Sequence, residues 1–327
     1  HLTQHPSLGS SLVLALLLGA ALLTKSSAAL LLSIFLLMAL FFAEKGKPKL
    51  LSIGYLLLAG LVALLYQSVQ QLSPAAHFIA EKNTTFVYSW DQLRSQPLVL
   101  RVTQNFLLYG GWVAFYLSVP LLLAGASGWF TNRRNRQTYT FVWLAFLIPF
   151  FIVVVIGKTV YPRHIFFLTM PLFVAGAGAL VHLWDAIRHN GLRVTLFLLC
   201  IVPATYLSGR ILINYKMALL PAIDRFQYID GWPAGWGVKD IVRFLEPETA
   251  KGTMTILTEG KFGSMPTTAM QLYFGNYPQV HIVPIDENTL DFPRDLDWKQ
   301  PVYVILNKSQ EVPNAWNAVE ILKIQKG

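Results

Sequence analysis

The order of apolar and polar positions divides the chain into two regions. Up to about residue 213, long apolar runs are separated by polar breaks, and beyond that point short apolar stretches alternate with charged residues. A membrane-spanning helix needs about 20 mostly apolar residues, with a range of about 17–25. Seven runs of about this length predict seven transmembrane helices. They lie at residues 8–24, 27–43, 50–69, 105–127, 139–157, 164–184 and 193–210.

The longest break, residues 70–104, mixes aromatic and aliphatic side chains with charged ones. Segments of this kind lie at the membrane surface, with their apolar face inward and their charges turned to the lipid headgroups. We therefore predict an interfacial loop at 70–104.

Residues 214–327 have the pattern of a small soluble domain. Helices are predicted at Lys239–Leu245 and Thr267–Phe274. Strands alternating with helices favour a small sheet covered by helices. The expected fold is a multi-span α-helical membrane region at 1–213 followed by an α/β domain at 214–327. The predicted strands are Thr253–Leu257, Val280–Pro284 and Val302–Leu306.

The composition narrows the class of protein. Of the 327 residues, 54% are hydrophobic and 13% are charged, and the mean hydropathy is +0.48. Soluble globular chains carry about 25% charged residues, and disordered or coiled-coil chains also need far more charge than this one has. These values exclude an ordinary cytosolic enzyme, a disordered protein and a coiled coil.

The net charge of +9 is unevenly distributed. Residues 1–213 hold 15 Lys and Arg against four acidic residues, whereas residues 214–327 hold 11 against 13. The basic excess therefore belongs to the apolar region, which indicates membrane topology and contact with headgroups rather than binding to nucleic acid.

Clustered basic residues also predict the orientation, because cytoplasmic loops are enriched in Lys and Arg. Three breaks carry such clusters. By alternation, the breaks at Lys25 and Lys158, the 70–104 loop and the C-terminal domain face outward. We thus predict a multi-pass plasma (inner) membrane protein with an extracytoplasmic C-terminal domain. The clusters are Lys45, Lys47 and Lys49; Arg133, Arg134 and Arg136; and Arg188 and Arg193.

Cations gather at the predicted outer rim. Lys158, Tyr161, Arg163 and His164 fall within seven residues between two apolar runs. An Arg fork binds phosphate bidentately, and Lys adds a compact charge. Interfacial anchoring explains one or two of these residues but not the whole group, so we favour a phosphate site. Lys25 has two open interpretations, a snorkelling anchor at a helix end or a further point charge for phosphate.

Other candidate sites are less favoured. The segment Tyr228–Gly237 alternates aromatic residues with glycines. It suits a tight turn that packs Trp, and stacking on a sugar or isoprenoid is the alternative. The His residues lack metal-ligand spacing, and the single cysteine, Cys200, allows neither a disulfide nor a Cys-based metal site. We predict no metal and no cofactor.

Two short segments resemble a known family. Residues 18–27, Leu-Gly-Ala-Ala-Leu-Leu-Thr-Lys-Ser-Ser, resemble a Gly-x-x-x-Leu-Thr-Lys-Gly/Ser segment of GT-C class membrane glycosyltransferases of the protein mannosyltransferase and aminoarabinose transferase branch. Residues 158–164, followed by Pro171, resemble the later Lys/Arg-Tyr-x-x-Pro-x-x-Pro-x-Leu segment of that branch, with His164 at a common Tyr position. The resemblance covers about residues 8–184.

The resemblance implies transfer of a sugar from a polyprenyl-phosphate donor to a protein, lipid or glycan acceptor at the outer membrane face. It also implies that Lys25, Lys158 and Arg163 meet the donor phosphate, with Tyr161 and His164 as neighbours. In that family the acidic catalytic residue lies in the first outer loop. No such loop precedes the first apolar run here, which leaves two options: the chain is truncated at its N-terminus and lacks the catalytic carboxylate, or the protein lacks the reaction. We expect the truncated chain.

Two other classes remain open. A transporter or flippase of lipid-linked intermediates would show polar residues or broken helices near mid-membrane. A noncatalytic anchor could instead display the C-terminal domain as a binding module, although seven spans exceed what an anchor needs.

Overall fold

The computed structural model describes residues 7–42, 47–73, 76–260, 265–286, 289, 291–293, 296–307 and 316–324. The chain divides into two compact units, the first ending at Gly209 and the second beginning at Arg210. The first unit is helical, and the second contains a small parallel sheet.

Eleven α-helices begin in the first unit among the described residues, and the last of them extends into the second unit. Their lengths range from the single turn of α9 to the 25 residues of α11. They are α1 Leu8–Thr24, α2 Leu32–Phe42, α3 Lys47–Ser68, α4 Ala76–Phe86, α5 Trp90–Ser95, α6 Leu98–Leu117, α7 Val119–Thr131, α8 Arg136–Ile156, α9 Pro162–Ile165, α10 Met170–Ala186 and α11 Asn190–Asn214.

Fewer helices than expected could cross a membrane. Within the described residues, four helical segments are long and apolar enough, or five when α6 and α7 count as one bent span. The predicted number of seven is therefore not confirmed. The first predicted span, 8–24, forms α1 with the predicted bounds but has only 17 residues, and 27–43 divides into a 3₁₀ segment and the 11-residue α2.

The predicted span 105–127 is broken at Ser118. The axes of α6 and α7 meet at 95°. Ser118 has a φ of 67°, a left-handed conformation that ends the α-helical hydrogen bonding. Pro120 follows at the start of α7, where it has no N–H to donate to the carbonyl of the preceding turn. Apolar run length does not reveal this bend.

Small residues bring helices of the first unit close together. Gly125 of α7 faces Gly176 of α10, and a Cβ at Gly125 would lie 3.3 Å from the backbone nitrogen of Gly176. Such pairs allow close backbone approach between apolar helices. Further packing joins α1 to α3, α2 to α8, and α6 to α8.

The segment 70–104, predicted as an interfacial loop, contains the two short helices α4 and α5. Its last residues already belong to α6, which begins at Leu98 rather than near residue 105. Ser89 caps α5 by accepting a hydrogen bond from the N–H of Gln92 at 3.3 Å. The described part of this segment is thus partly helical before the long apolar helix begins.

The second unit is built on strands β1 Met254–Glu259, β2 Val280–Ile285 and β3 Val302–Ile305, all parallel in the order β2-β1-β3. Helix α14, Thr267–Phe274, connects β1 to β2, and α12 Ala222–Arg225 and α13 Val238–Thr249 precede the sheet. The apolar core between α13, α14 and the sheet includes Leu245, Met254, Ile256, Met270 and Phe274. The predicted three-stranded sheet is confirmed, and α14 has the predicted bounds.

Candidate functional site

The turn between α8 and α9 carries four of the predicted site residues. Helix α8 ends at Ile156, and Gly157 leads into Lys158. A Cβ at Gly157 would lie 2.6 Å from the carbonyl oxygen of Val153, so the chain can turn this closely only at a glycine. Pro162 begins α9 at the first helical position, where its missing N–H costs nothing.

The last residue of α4, Phe86, and the two residues after it hold this turn; we call residues 86–88 the strap. Val87 pairs with Gly157 in an antiparallel bridge. The N–H of Tyr88 donates to the carbonyl of Ile156 at 2.9 Å, and the N–H of Lys158 donates to the carbonyl of Phe86 at 2.9 Å. The strap thus joins the end of α4 to the turn that carries the cations.

Asn105 of α6 fixes the same turn from a third element. Its amide nitrogen donates to the carbonyls of Val154 at 2.9 Å and Gly157 at 3.0 Å. The last carbonyls of a helix have no intrahelical partner, so Asn105 supplies the hydrogen bonds that the end of α8 lacks.

Aromatic rings pack beneath the cations. The ring of Phe86 meets His164 edge-on, with centroids 5.2 Å apart, and lies 6.4 Å from the ring of Tyr161. Nδ1 of His164 accepts a hydrogen bond from the N–H of Tyr161 at 3.4 Å. In the neutral ring the proton then sits on Nε2, which leaves Nε2 as a hydrogen-bond donor.

Lys25 reaches this turn across 138 residues of sequence. It follows α1 in extended backbone, and its Nζ donates to the carbonyl of Arg163 at 3.0 Å. The guanidinium carbon of Arg163 lies 4.7 Å from the centre of the Tyr161 ring. The two cations therefore lie on one side of the molecule, next to the aromatic rings.

The closeness of Lys25 and Arg163 is electrostatically unfavourable, and it contributes to a lowered pKa of Lys25. Partial burial lowers the pKa of the Lys25 ammonium, and the neighbouring Arg163 guanidinium lowers it further. A like charge disfavours the protonated form of a lysine, whereas an anion between the two cations would restore it. The arrangement suits a bound anion.

The structure brings together four of the five predicted site residues: Lys25, Tyr161, Arg163 and His164. Lys158 joins them through its backbone alone. Its side chain is exposed and makes no hydrogen bond or ion pair with any residue that the structure describes. The ammonium of Lys158 is thus less well positioned than that of Lys25.

Sequence reasoning missed two residues that lie against the strap. Asn105 is a polar residue within an apolar helix, and that position was the available signal. Arg101 was counted with the charges of the interfacial loop, but it is only 6% exposed. Its guanidinium carbon lies 4.8 Å from the centre of the Tyr88 ring.

The aromatic segment 228–237 lies in the second unit and has packing partners there. Nε1 of Trp236 donates to the carbonyl of Ile229 at 2.6 Å, and Nζ of Lys216 lies 4.5 Å from the Trp236 ring centre. Gly235 and Gly237 adopt φ values of 73° and 82°, as a tight turn requires. The contacts of Trp236 agree with the packing interpretation.

Metal chemistry has no obvious location in the described ranges. Among those residues, no group of three or more His, Cys, Asp or Glu side chains is arranged to hold a metal ion.

Comparisons of the chain with family models, with curated proteins and with solved structures found no match. The site must therefore be interpreted from its own geometry.

Proposed function

We propose that this chain belongs to an integral membrane glycosyltransferase that moves a sugar from a polyprenyl-phosphate donor to an acceptor at the outer membrane face. In this proposal the protein lies in the plasma (inner) membrane, the second unit is extracytoplasmic, and the acceptor is a protein, lipid or glycan. The GT-C resemblance of the segments around Lys25 and Lys158 supports the assignment.

The observation that carries the proposal is the hydrogen bond between Nζ of Lys25 and the carbonyl of Arg163. Two basic segments that are far apart in sequence meet beside apolar helices. A phosphate on an isoprenoid chain has the matching chemistry, because its oxygens pair with cations and its hydrocarbon chain partitions into lipid.

The cations have a defined part in such a reaction. The bond between the anomeric carbon and the donor phosphate oxygen breaks, an acceptor oxygen bonds to that carbon, and a carboxylate takes the acceptor proton. Negative charge grows on the departing phosphate. Lys25 and Arg163 stabilise that charge more in the transition state than in the ground state, and Nε2–H of His164 can donate to a phosphate oxygen. No residue of the chain is assigned as the carboxylate.

The test is release of polyprenyl phosphate from a labelled polyprenyl-phosphate sugar in the presence of acceptor. The protein is expressed from its complete gene and purified in lipid nanodiscs. Release by the unaltered protein and loss in Lys25→Ala/Arg163→Ala are expected. A double variant that is folded and turns over normally would overturn the site assignment.

The break at Ser118 favours a second candidate, a flippase or transporter of lipid-linked intermediates. Discontinuous helices form substrate sites in transporters, and α6 and α7 meet at 95°. Movement of an intact labelled lipid between leaflets, without sugar release, would select this candidate over the transferase.

A further inference from the structure

Arg101 is a buried cation without a hydrogen-bond partner in the part of the chain that the structure describes. It is 6% exposed, and its Nε, Nη1 and Nη2 are all buried. None of the three nitrogens has a hydrogen-bond partner among the residues that the structure describes. A guanidinium carries five N–H donors, and leaving them buried and unpaired is strongly unfavourable.

The protein surroundings of Arg101 do not compensate for this charge. The residue lies in the first turn of α6, where the helix dipole disfavours a cation. Asn105 and Tyr109 lie one and two turns further along the same face of α6. Asn105 binds the end of α8, and its amide nitrogen is a donor that cannot serve the guanidinium.

The ring of Tyr88 contacts the guanidinium of Arg101 but does not supply hydrogen-bond acceptors for its N–H groups. The guanidinium carbon lies 4.8 Å from the ring centre. A cation–π contact of this kind does not use the N–H donors of the guanidinium as hydrogen bonds to an oxygen would. Tyr88 belongs to the strap, whose other end, Phe86, packs against Tyr161 and His164. The strap therefore links the surroundings of Arg101 to the candidate site.

We propose that Arg101 forms a phosphate subsite, in which its buried guanidinium donates bidentate hydrogen bonds to a phosphate oxyanion. This assignment deepens the proposed function and rests on it for the donor lipid as the source of the phosphate. A planar fork held on an aromatic ring is the geometry with which Arg recognises phosphate. The N-terminal end of α6 also favours an anion at this position.

The test compares three probes against the protein in nanodiscs: polyprenyl phosphate, inorganic phosphate and the headgroup of phosphatidylglycerol. Thermal stability is measured without and with each probe, and affinity is obtained from the ligand-induced shift. The test variant is Arg101→Met, which keeps the apolar stem and removes the charge. The matched control is Arg94→Met, at an exposed Arg on the neighbouring helix α5.

We expect Arg101→Met to unfold at no lower temperature than the unaltered protein when no ligand is present, because it removes an unpaired buried charge. We also expect it to lose at least tenfold in affinity for polyprenyl phosphate, while Arg94→Met keeps its affinity. An equal loss for inorganic phosphate would support the subsite and identify free phosphate as sufficient. A loss confined to phosphatidylglycerol would support the subsite and assign it to bulk lipid.

If Arg101 only stabilised the fold, the Arg101→Met variant would give the opposite results. Arg101→Met would then unfold at a lower temperature and keep its affinity for all three probes, and this result would overturn the proposal. If Arg101→Met does not fold, Arg101→Lys serves instead. It keeps the charge but loses the fork, so we expect at least a threefold loss of affinity, and unchanged affinity would contradict the subsite.

The subsite and the proposed function can fail separately. Arg101-dependent binding of polyprenyl phosphate without sugar release would remove the transferase assignment and leave the subsite. Sugar release that depends on Lys25 and Arg163 but not on Arg101 would do the reverse.

Discussion

The two units of this protein neutralise their cations in different ways. In the second unit, Arg225 pairs with Asp230 at 2.6 Å and Lys251 pairs with Glu248 at 2.6 Å. In the first unit, Lys25 donates to a backbone carbonyl and Arg101 has no hydrogen-bond partner among the described residues. Neither cation forms an ion pair with a carboxylate in that part of the chain.

This difference between the two units indicates which cations are suited to bind an anionic ligand. Ion pairs neutralise several cations of the second unit within the protein, although exposed pairs add little stability. Cations that a fold positions and does not pair depend on charge from outside it.

Removing both cations that meet at the turn has the largest effect. Lys25→Ala/Arg163→Ala deletes two charge-assisted contacts to the proposed phosphate, each contributing about 1.5–3 kcal/mol. We expect at least a hundredfold loss of affinity for polyprenyl phosphate, measured by titration in nanodiscs. The control is Arg243→Ala, an exposed cation of the second unit with its own acidic neighbour, Asp240. A loss of comparable size in the control would show that the effect is not local.

A cavity in the core of the second unit should lower the stability of that unit and leave phosphate binding by the first unit unchanged. The ring of Phe274 is fully buried between α14 and the sheet. Phe274→Ala should cost about 3–5 kcal/mol of that unit's stability, measured as faster hydrogen exchange in β1 and β2. Binding of polyprenyl phosphate to the first unit should be retained. Loss of binding together with protection would mean that the two units do not act separately.

Loosening the strap should have an intermediate effect. Phe86→Ala removes ring contacts with His164 and Tyr161, which together are worth about 1–2 kcal/mol. We expect about a tenfold weaker affinity and a lower unfolding temperature. Val87→Ala is the matched control, since the exposed Val87 side chain leaves the backbone bridge to Gly157 intact. Equal effects of the two variants would contradict a role for the Phe86 ring.

The lowered pKa of Lys25 predicts a pH dependence of binding. Because burial and Arg163 lower this pKa, the ammonium loses its proton at a lower pH than an ordinary lysine does. Phosphate binding needs the protonated form, so affinity should fall as the pH rises from about 7 to about 10. Lys25→Arg keeps its charge throughout this range and should flatten the profile. Parallel profiles for the two proteins would show that Lys25 does not control binding.

The smallest effect is expected at the paired carboxylate of the second unit. The hydrogen bond from Lys251 holds the pKa of Glu248 below its usual range, and the Tyr303 hydroxyl donates to the same carboxylate at 3.1 Å. The resulting stability is present above the unfolded pKa and is lost as pH falls through the lowered folded pKa. Glu248→Gln should slightly reduce the acid sensitivity of hydrogen exchange in β3. An unchanged acid profile would mean that the pair contributes nothing.

The second unit follows from its sequence more closely than the first does. Alternating strands and the amphipathic helix α13 leave a local signal, because one face of each must be buried in a small domain. The long helices of the first unit are apolar on all sides. The sequence therefore indicates how long the apolar segments are, but not where a helix breaks. The positive φ of Ser118 and the short length of α2, 11 residues, are features of the backbone conformation. A run of apolar residues does not predict them.

Part of the candidate site could be predicted from the sequence. The chemistry of Tyr161, Arg163 and His164 was visible in residue type and spacing, but the proximity of Lys25 to them came only through the family resemblance. The strap pairing of Val87 with Gly157 links residues 70 positions apart and leaves no periodic signal. Arg101 was misplaced because a charge in an apolar and aromatic segment suggests a headgroup contact, whereas the structure buries it under Tyr88.

The most direct measurement of the central claim compares polyprenyl phosphate with the corresponding polyprenol, which lacks the phosphate, by native mass spectrometry of the protein released from nanodiscs. If Lys25 and Arg163 bind a lipid phosphate, the unaltered protein retains the phosphorylated lipid and not the alcohol. Lys25→Ala/Arg163→Ala then retains neither. Equal retention of the two lipids by the unaltered protein, or undiminished retention of the phosphorylated lipid by the double variant, would contradict the claim.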